Sequence, residues 1–170
     1  MAKLNRHEKT GAVLVVILVL CAVICRLFSR FDVVDDGFNY LCSLLRAGIY
    51  MGIIITWGIS VHRRVLNRSA RRYLIAIAAL LLFWFVIRTC KFLFLEGMPA
   101  LQYYCWYGYY IPMILIPLMG VYLAICLGRP EEYILPAPLK SLMIPAILFI
   151  LLIITNNFHQ KVFAFPFGME

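Results

Sequence analysis

Acidic residues are scarce: Asp and Glu number only 8 in 170 residues, against 16 Lys and Arg. None of these carboxylates pairs inside an apolar run, so the relay of a proton-coupled transporter has no carriers here. The chain has no GxxxxGK[ST] loop, no glycine-rich phosphate fingerprint and no HExxH. That removes the usual signatures of nucleotide binding and of a zinc hydrolase. Its 6 cysteines include no CxxC, and no Cys/His pair has zinc spacing. Neither a metal nor another cofactor is therefore expected. Charge of either sign is thin, at 14% of residues, where a soluble domain carries about a quarter.

Apolar residues dominate instead, at 64% of the chain with a mean hydropathy of +0.91. Such an excess has to face lipid rather than water. The net charge of +8 sits in the gaps between apolar runs. Orientation in a bilayer explains that placement, and nucleic acid is not an expected partner.

The runs cover about residues 11–28, 41–61, 73–95, 108–127 and 141–158. Each approaches the roughly 20 residues that a spanning helix needs. They are continuously apolar, whereas barrel strands alternate, and a helix satisfies its own backbone in lipid. The expected fold class is all-α: a polytopic membrane protein, a bundle of five transmembrane helices in a single domain over 1–170, with no soluble domain. No small-x-small cleavage site follows the first run, so it reads as an uncleaved helix rather than a signal peptide. Bends are expected near Pro112 and Pro117.

Arg63, Arg64, Arg68, Arg71 and Arg72 fill the second loop without an acid. With alternating helices, Lys3, Arg6, Lys9, Arg129 and Lys140 fall on the same side. The positive-inside rule makes that side cytoplasmic, with the N-terminus inside and the C-terminus outside. Tyr103, Tyr104, Trp106, Tyr107, Tyr109 and Tyr110 then read as an aromatic belt around the third, outer loop.

Asp32, Asp36, Asn39, Ser43 and Arg46 recur at spacings of three and four, one face of a helix. The stripe continues through Tyr50, Ile53, Trp57 and Ser60. Trp84, Arg88 and Lys91 mark one face of the third helix. Charges inside spans cost energy and tend to face the bundle or a wet cavity. Arg46, Arg88 and Lys91, walled by Trp57, Trp84 and the tyrosines of the belt, are therefore the candidate ligand-binding residues, for an anionic or polar extracytoplasmic ligand. The bland alternative pairs these cations with Asp35, Asp36 and Glu96 near the span ends. Gly48 and Gly52 have small-xxx-small spacing and are expected to aid packing. His159 reads as a polar helix-end cap or a proton-sensitive group. Cys21 and Cys25 lie one turn apart in an apolar run; a membrane thiol enzyme would need a more accessible, low-pKa cysteine.

Several stretches carry a resemblance in their order and spacing. They are Arg71-Arg72-Tyr73-Leu74, Phe83-Trp84 with Arg88-Thr89-Cys90-Lys91, and Trp106-Tyr107 through Ile116-Pro117-Leu118. Leu127-Gly128-Arg129-Pro130-Glu131-Glu132-Tyr133 and Thr155-Asn156-Asn157-Phe158-His159-Gln160 complete the set. Together, over about residues 45–165, they resemble the membrane-embedded seven-helix N-terminal region of bacterial sensor histidine kinases and of related stand-alone membrane proteins of Firmicutes. The resemblance implies a sensory input module in the bacterial cell membrane, with a histidine kinase or other membrane subunits as partners. In that family more helices follow the Asn-x-x-His-Gln segment, so the chain is expected to be a truncated input region. It carries no phosphoacceptor helix or ATP-binding domain, and no enzymatic activity is expected. The rival reading is a small subunit of a membrane transporter or other membrane complex.

Overall fold

Apolar runs broken by arginine and proline become helices throughout the described residues. In the computed structural model these are residues 6–28, 36–65, 67–95, 97–130 and 133–163; the side chains of residues 6–10, 12, 28, 36, 99 and 100 are not described. The helices are α1 (Arg6–Phe28), α2 (Asp36–Arg64) and α3 (Arg68–Thr89), which runs into a π-helical turn (Cys90–Phe94). Then come α4 (Pro99–Gly108), α5 (Tyr110–Cys126), α6 (Ala137–Lys140), α7 (Met143–Ile154) and α8 (Asn156–His159).

Four stretches are long and apolar enough to cross a membrane: Gly37–Arg64, Arg68–Phe94, Leu101–Cys126 and Ala137–Ile154. A shorter apolar helix covers Val13–Leu27. The surface agrees with lipid as the surrounding medium. On α7 only Ala146 and Ile153 are buried, while Ile144, Leu148 and Phe149 are each about 60% exposed. Water would penalise that face, and hydrocarbon does not. The chain is a multi-span helical membrane protein.

The boundaries differ from the apolar runs for physical reasons. α2 and α3 extend into polar sequence at their ends, because a helix keeps its backbone bonds wherever the side chains point. The fourth span begins before residue 108. The aromatic residues expected in a loop, Tyr103 to Tyr107, lie on α4 instead. α4 leads into α5 through Tyr109, which keeps right-handed helical angles (φ −64°, ψ −29°). The interruption is local. Pro112 has no N–H for the Gly108 carbonyl, and its ring crowds that carbonyl. Tyr109 N bonds back to Trp106 O at 3.2 Å, a tighter turn. The last span splits as well. Pro145 cannot donate to Ser141 O, which accepts from Ile144 N at 3.0 Å.

The chain forms two compact units, Met1–Ile54 and Ile55–Glu170. In the first, Ala22 is fully buried and Cys42 is 6% exposed, with Cys25 within hydrogen-bonding reach of Cys42. In the second, α3 packs chiefly on α5, and α5 also packs on α7. The core there is Met119, Tyr122, Cys126 and Leu135, ringed by Tyr73, Ile77, Leu80, Leu139 and Met143. The buried Tyr122 hydroxyl donates to Leu139 O at 2.9 Å, so this hydroxyl is satisfied inside the core. Close approach uses small residues. A Cβ at Gly108 would meet Ile87 Cδ1 at 2.9 Å, and one at Gly58 would meet Ala78 at 3.5 Å. A Cβ at Gly48 or Gly52, where close packing was expected, meets nothing within 4 Å.

Candidate functional site

The C-terminal end of α3 departs from regular α-helical backbone. Thr89 Oγ1 donates to Phe85 O at 2.8 Å, a back-bond that strains the regular ladder. The next turn widens: Leu95 N bonds to Cys90 O at 3.1 Å, five residues back. Gln102 Nε2 then satisfies the Leu95 carbonyl at 2.7 Å, tying α4 to the helix end. Such π-turns occur mostly as single insertions in α-helices, frequently at functional sites.

Around this turn sit the predicted cations. The Arg88 guanidinium lies 5.9 Å from the ring centre of Trp84, one turn earlier on the same helix. Lys91 Nζ lies 5.5 Å from the Phe92 ring and 5.8 Å from the Tyr109 ring. Cation–π contacts of this kind are worth about 0.5–1 kcal/mol when exposed and about 2 when desolvated. Trp84 packs edge-on against Phe85 at 5.3 Å.

Of the tyrosines expected to wall the site, Tyr109 is one that the structure brings to these cations. Its ring takes Lys91 from one side, and its hydroxyl lies in the electrostatic field of Arg88. That hydroxyl is buried and has no hydrogen-bond partner among the described residues.

Trp57 is 40% exposed, and no aromatic or cationic contact joins it to Arg88 or Lys91 among the described residues. Arg46 belongs to the first unit, where it is half-buried and reaches Ser43 Oγ on its own helix at 3.4 Å. The proposed counter-acids Asp35 and Glu96 lie outside the described residues, as do Asp32 and the side chain of Asp36.

A second polar cluster lies at the same end of this unit, where α7 and α8 meet α4. Asn156 is 1% exposed. Its Oδ1 accepts from Val162 N at 3.0 Å and Phe163 N at 3.2 Å, and its Nδ2 donates to Phe163 O at 2.9 Å. The chain turns back on itself at Gln160, with φ +48°. Phe163 thereby stacks on Trp106 (4.8 Å) and Tyr110 (5.4 Å). Tyr107 OH donates to Asn157 Oδ1 at 2.8 Å. His159 is part of this clasp: Nδ1 accepts from Lys161 N at 3.0 Å, and Nε2 faces Leu152 O at 3.1 Å. The first contact needs an unprotonated Nδ1, so the bonding pattern assigns the Nε2–H tautomer. All these groups are spent on one another, which makes the cluster a structural clasp.

Comparison with protein-family models, with curated proteins and with solved structures gives no match. The likeness to histidine-kinase input regions accordingly rests on the sequence motifs alone. Among the described residues no group of His, Cys, Asp and Glu could hold a metal ion.

Proposed function

We propose that this chain is a non-enzymatic, sensor-type input module of a bacterial cell membrane. In this reading it spans the bilayer five times, Val13–Leu27 included, with the N-terminus cytoplasmic and the C-terminus outside. Perception takes place at the extracytoplasmic end of α3. The observation that carries the reading is the pair of cations Arg88 and Lys91, held on aromatic faces beside a π-turn. Cations are costly near a hydrocarbon core, and an intramembrane charge is by default a functional candidate. Aromatic faces hold a cation without neutralising it, so its charge stays available to an anionic or polar ligand.

Two measurements test this. A reporter enzyme that folds only outside the cytoplasm, fused after Glu170, should be active; activity solely of a cytoplasmic reporter overturns the topology. For the site, W57F/W106F leaves Trp84 as the sole tryptophan. Acetate or sulfate should then change its emission saturably, and R88Q/K91Q should abolish the change. A flat response to both anions overturns the binding role of this end of the helix.

A further inference from the structure

The sequence assigned the cytoplasmic arginines to orientation alone, yet two of the basic residues on that side line a built cleft. The loop after α5 is strapped onto the start of α3 by two long-range bonds. Asn67 Nδ2 donates to Arg129 O at 3.2 Å, and Ser69 Oγ donates to Tyr133 O at 3.4 Å. The Arg129 guanidinium stacks on the Tyr133 ring at 5.4 Å, fixing that ring as a wall. Below, Leu135 is 4% exposed and joins the core around Tyr122. Between wall and core opens a cavity of about 260 Å³, lined by Ser69, Arg72, Tyr73, Tyr133, Leu135 and Lys140.

Its chemistry is specific. Arg72 comes from the first turns of α3 and Lys140 from the end of α6, so segments far apart in sequence place two basic residues in the lining of one space. Arg offers a planar fork of donors that matches phosphate, and Lys adds a point charge. The positive end of the α3 dipole lies at the same mouth. Tyr73 and Tyr133 supply phenols, while Leu135 and the exposed Ile134 give the cleft an apolar side. Drug-sized pockets run from about 300 Å³ upward, so this one suits a compact anion. It lies where three candidate spans end, at Arg68, Cys126 and Ala137.

We propose that this cleft binds a phosphate-bearing group, with an anionic phospholipid headgroup as the source. The inference rests on the membrane placement of the chain and not on its sensory role or its topology. An ordinary solvated basic rim would attract anionic lipid diffusely. A strapped loop, two basic residues in one lining and a buried floor at Leu135 predict saturable binding of few molecules.

The experiment uses the full chain in detergent micelles, with lipid retention read by native mass spectrometry. Phosphatidylglycerol should be retained over phosphatidylcholine. R72Q/K140Q should weaken that retention about tenfold or more, since each basic residue near an anionic surface contributes to binding. R63Q/R64Q, which removes the same charge from the last turn of α2, should change it less than about threefold, because neither residue lines the cleft and only screened attraction is lost. Inorganic phosphate separates the sources. Failure of millimolar phosphate to displace the lipid supports the headgroup. Displacement that also depends on Arg72 and Lys140 supports the same site with soluble phosphate as ligand.

Three results overturn the proposal. One is equal retention of the two lipids. Another is equal damage from R63Q/R64Q, which would leave only diffuse attraction. The third is binding that appears only in E131Q/E132Q, because the chain's own acids beside Tyr133 would then occupy the cations. Arg72 and Lys140 are both exposed, so the double variant should melt as the parent does, and a melting curve checks that it is folded.

Discussion

The side-chain amide of Asn156 lies 3.4 Å from the hydroxyl of Tyr107, and that hydroxyl in turn donates to Asn157. A buried amide is thus the hub that folds residues 160–163 back over α4. Asn156→Ala would strand two backbone N–H groups and one carbonyl. The expected loss is about 1–3 kcal/mol. It should appear as a lowered melting temperature together with red-shifted emission of Trp106, which loses Phe163 as a lid. Asn157→Ala removes one bond at an exposed residue and should cost clearly less. Equal costs would mean that Asn156 is not the hub.

Tyr109→Phe tests the stranded hydroxyl. Removing a buried polar atom that has no partner among the described residues should be neutral or stabilising, by up to about 1 kcal/mol. The Lys91 contact, made to the ring face, should survive. Tyr109→Leu keeps bulk but deletes the ring, and a double-mutant cycle with Lys91→Met should give a coupling of about 0.5–2 kcal/mol. A destabilised phenylalanine variant would show that the hydroxyl has a partner.

Gly108→Ala probes the approach of α4 to α3. The added methyl would meet only the flexible tip of Ile87. The clash should nearly offset the roughly 1 kcal/mol of helix propensity that alanine gains. Ile87→Val removes the offending Cδ1. The double variant should therefore melt above Gly108→Ala alone, and the opposite order would contradict the packing.

Cys25 and Cys42 supply a distance test within the first unit. Thiols in hydrogen-bonding reach are close to disulfide geometry. Mild copper–phenanthroline oxidation should cross-link them within one chain, as seen by a mass loss of two hydrogens and the disappearance of both free thiols. Cys21 is exposed on the same helix and should stay free. A Cys21–Cys42 product would mean that α1 is rotated from the arrangement described.

The spans were readable because continuous apolar runs leave a helix as the only backbone solution in lipid. Their ends were readable only in part: the stripe through Asp36 and Asn39 placed the start of α2 ahead of its apolar run, whereas Arg68 opens α3 on a polar first turn that the hydropathy does not mark. The Trp84–Arg88 face follows directly from i, i+4 spacing, and the structure keeps it. The partner of Lys91 was out of reach of that rule, because a π-turn intervenes and neither proline nor glycine announces it. Tyr103 to Tyr107 look like an interface belt in composition, yet they form a helix stapled by Gln102 and Asn157. The cleft at Arg72 and Lys140 depends on Ser69 meeting Tyr133, 64 residues away. No local pattern encodes such a meeting. His159 was read as a helix-end group, and its bonds to Leu152 and Lys161 place it there. The buried member of that segment is its neighbour Asn156.

An α-turn closes on the fourth residue back, but the turn at Cys90–Phe94 closes on the fifth. The helix therefore holds one residue in surplus. Each residue turns an α-helix by about 100°, so the surplus indexes everything beyond it by one step against the face that bears Trp84. Were the turn to relax to α geometry, Lys91 would keep its place in the sequence and change the neighbour it addresses. Whatever holds the surplus in place also sets which aromatic face carries the charge.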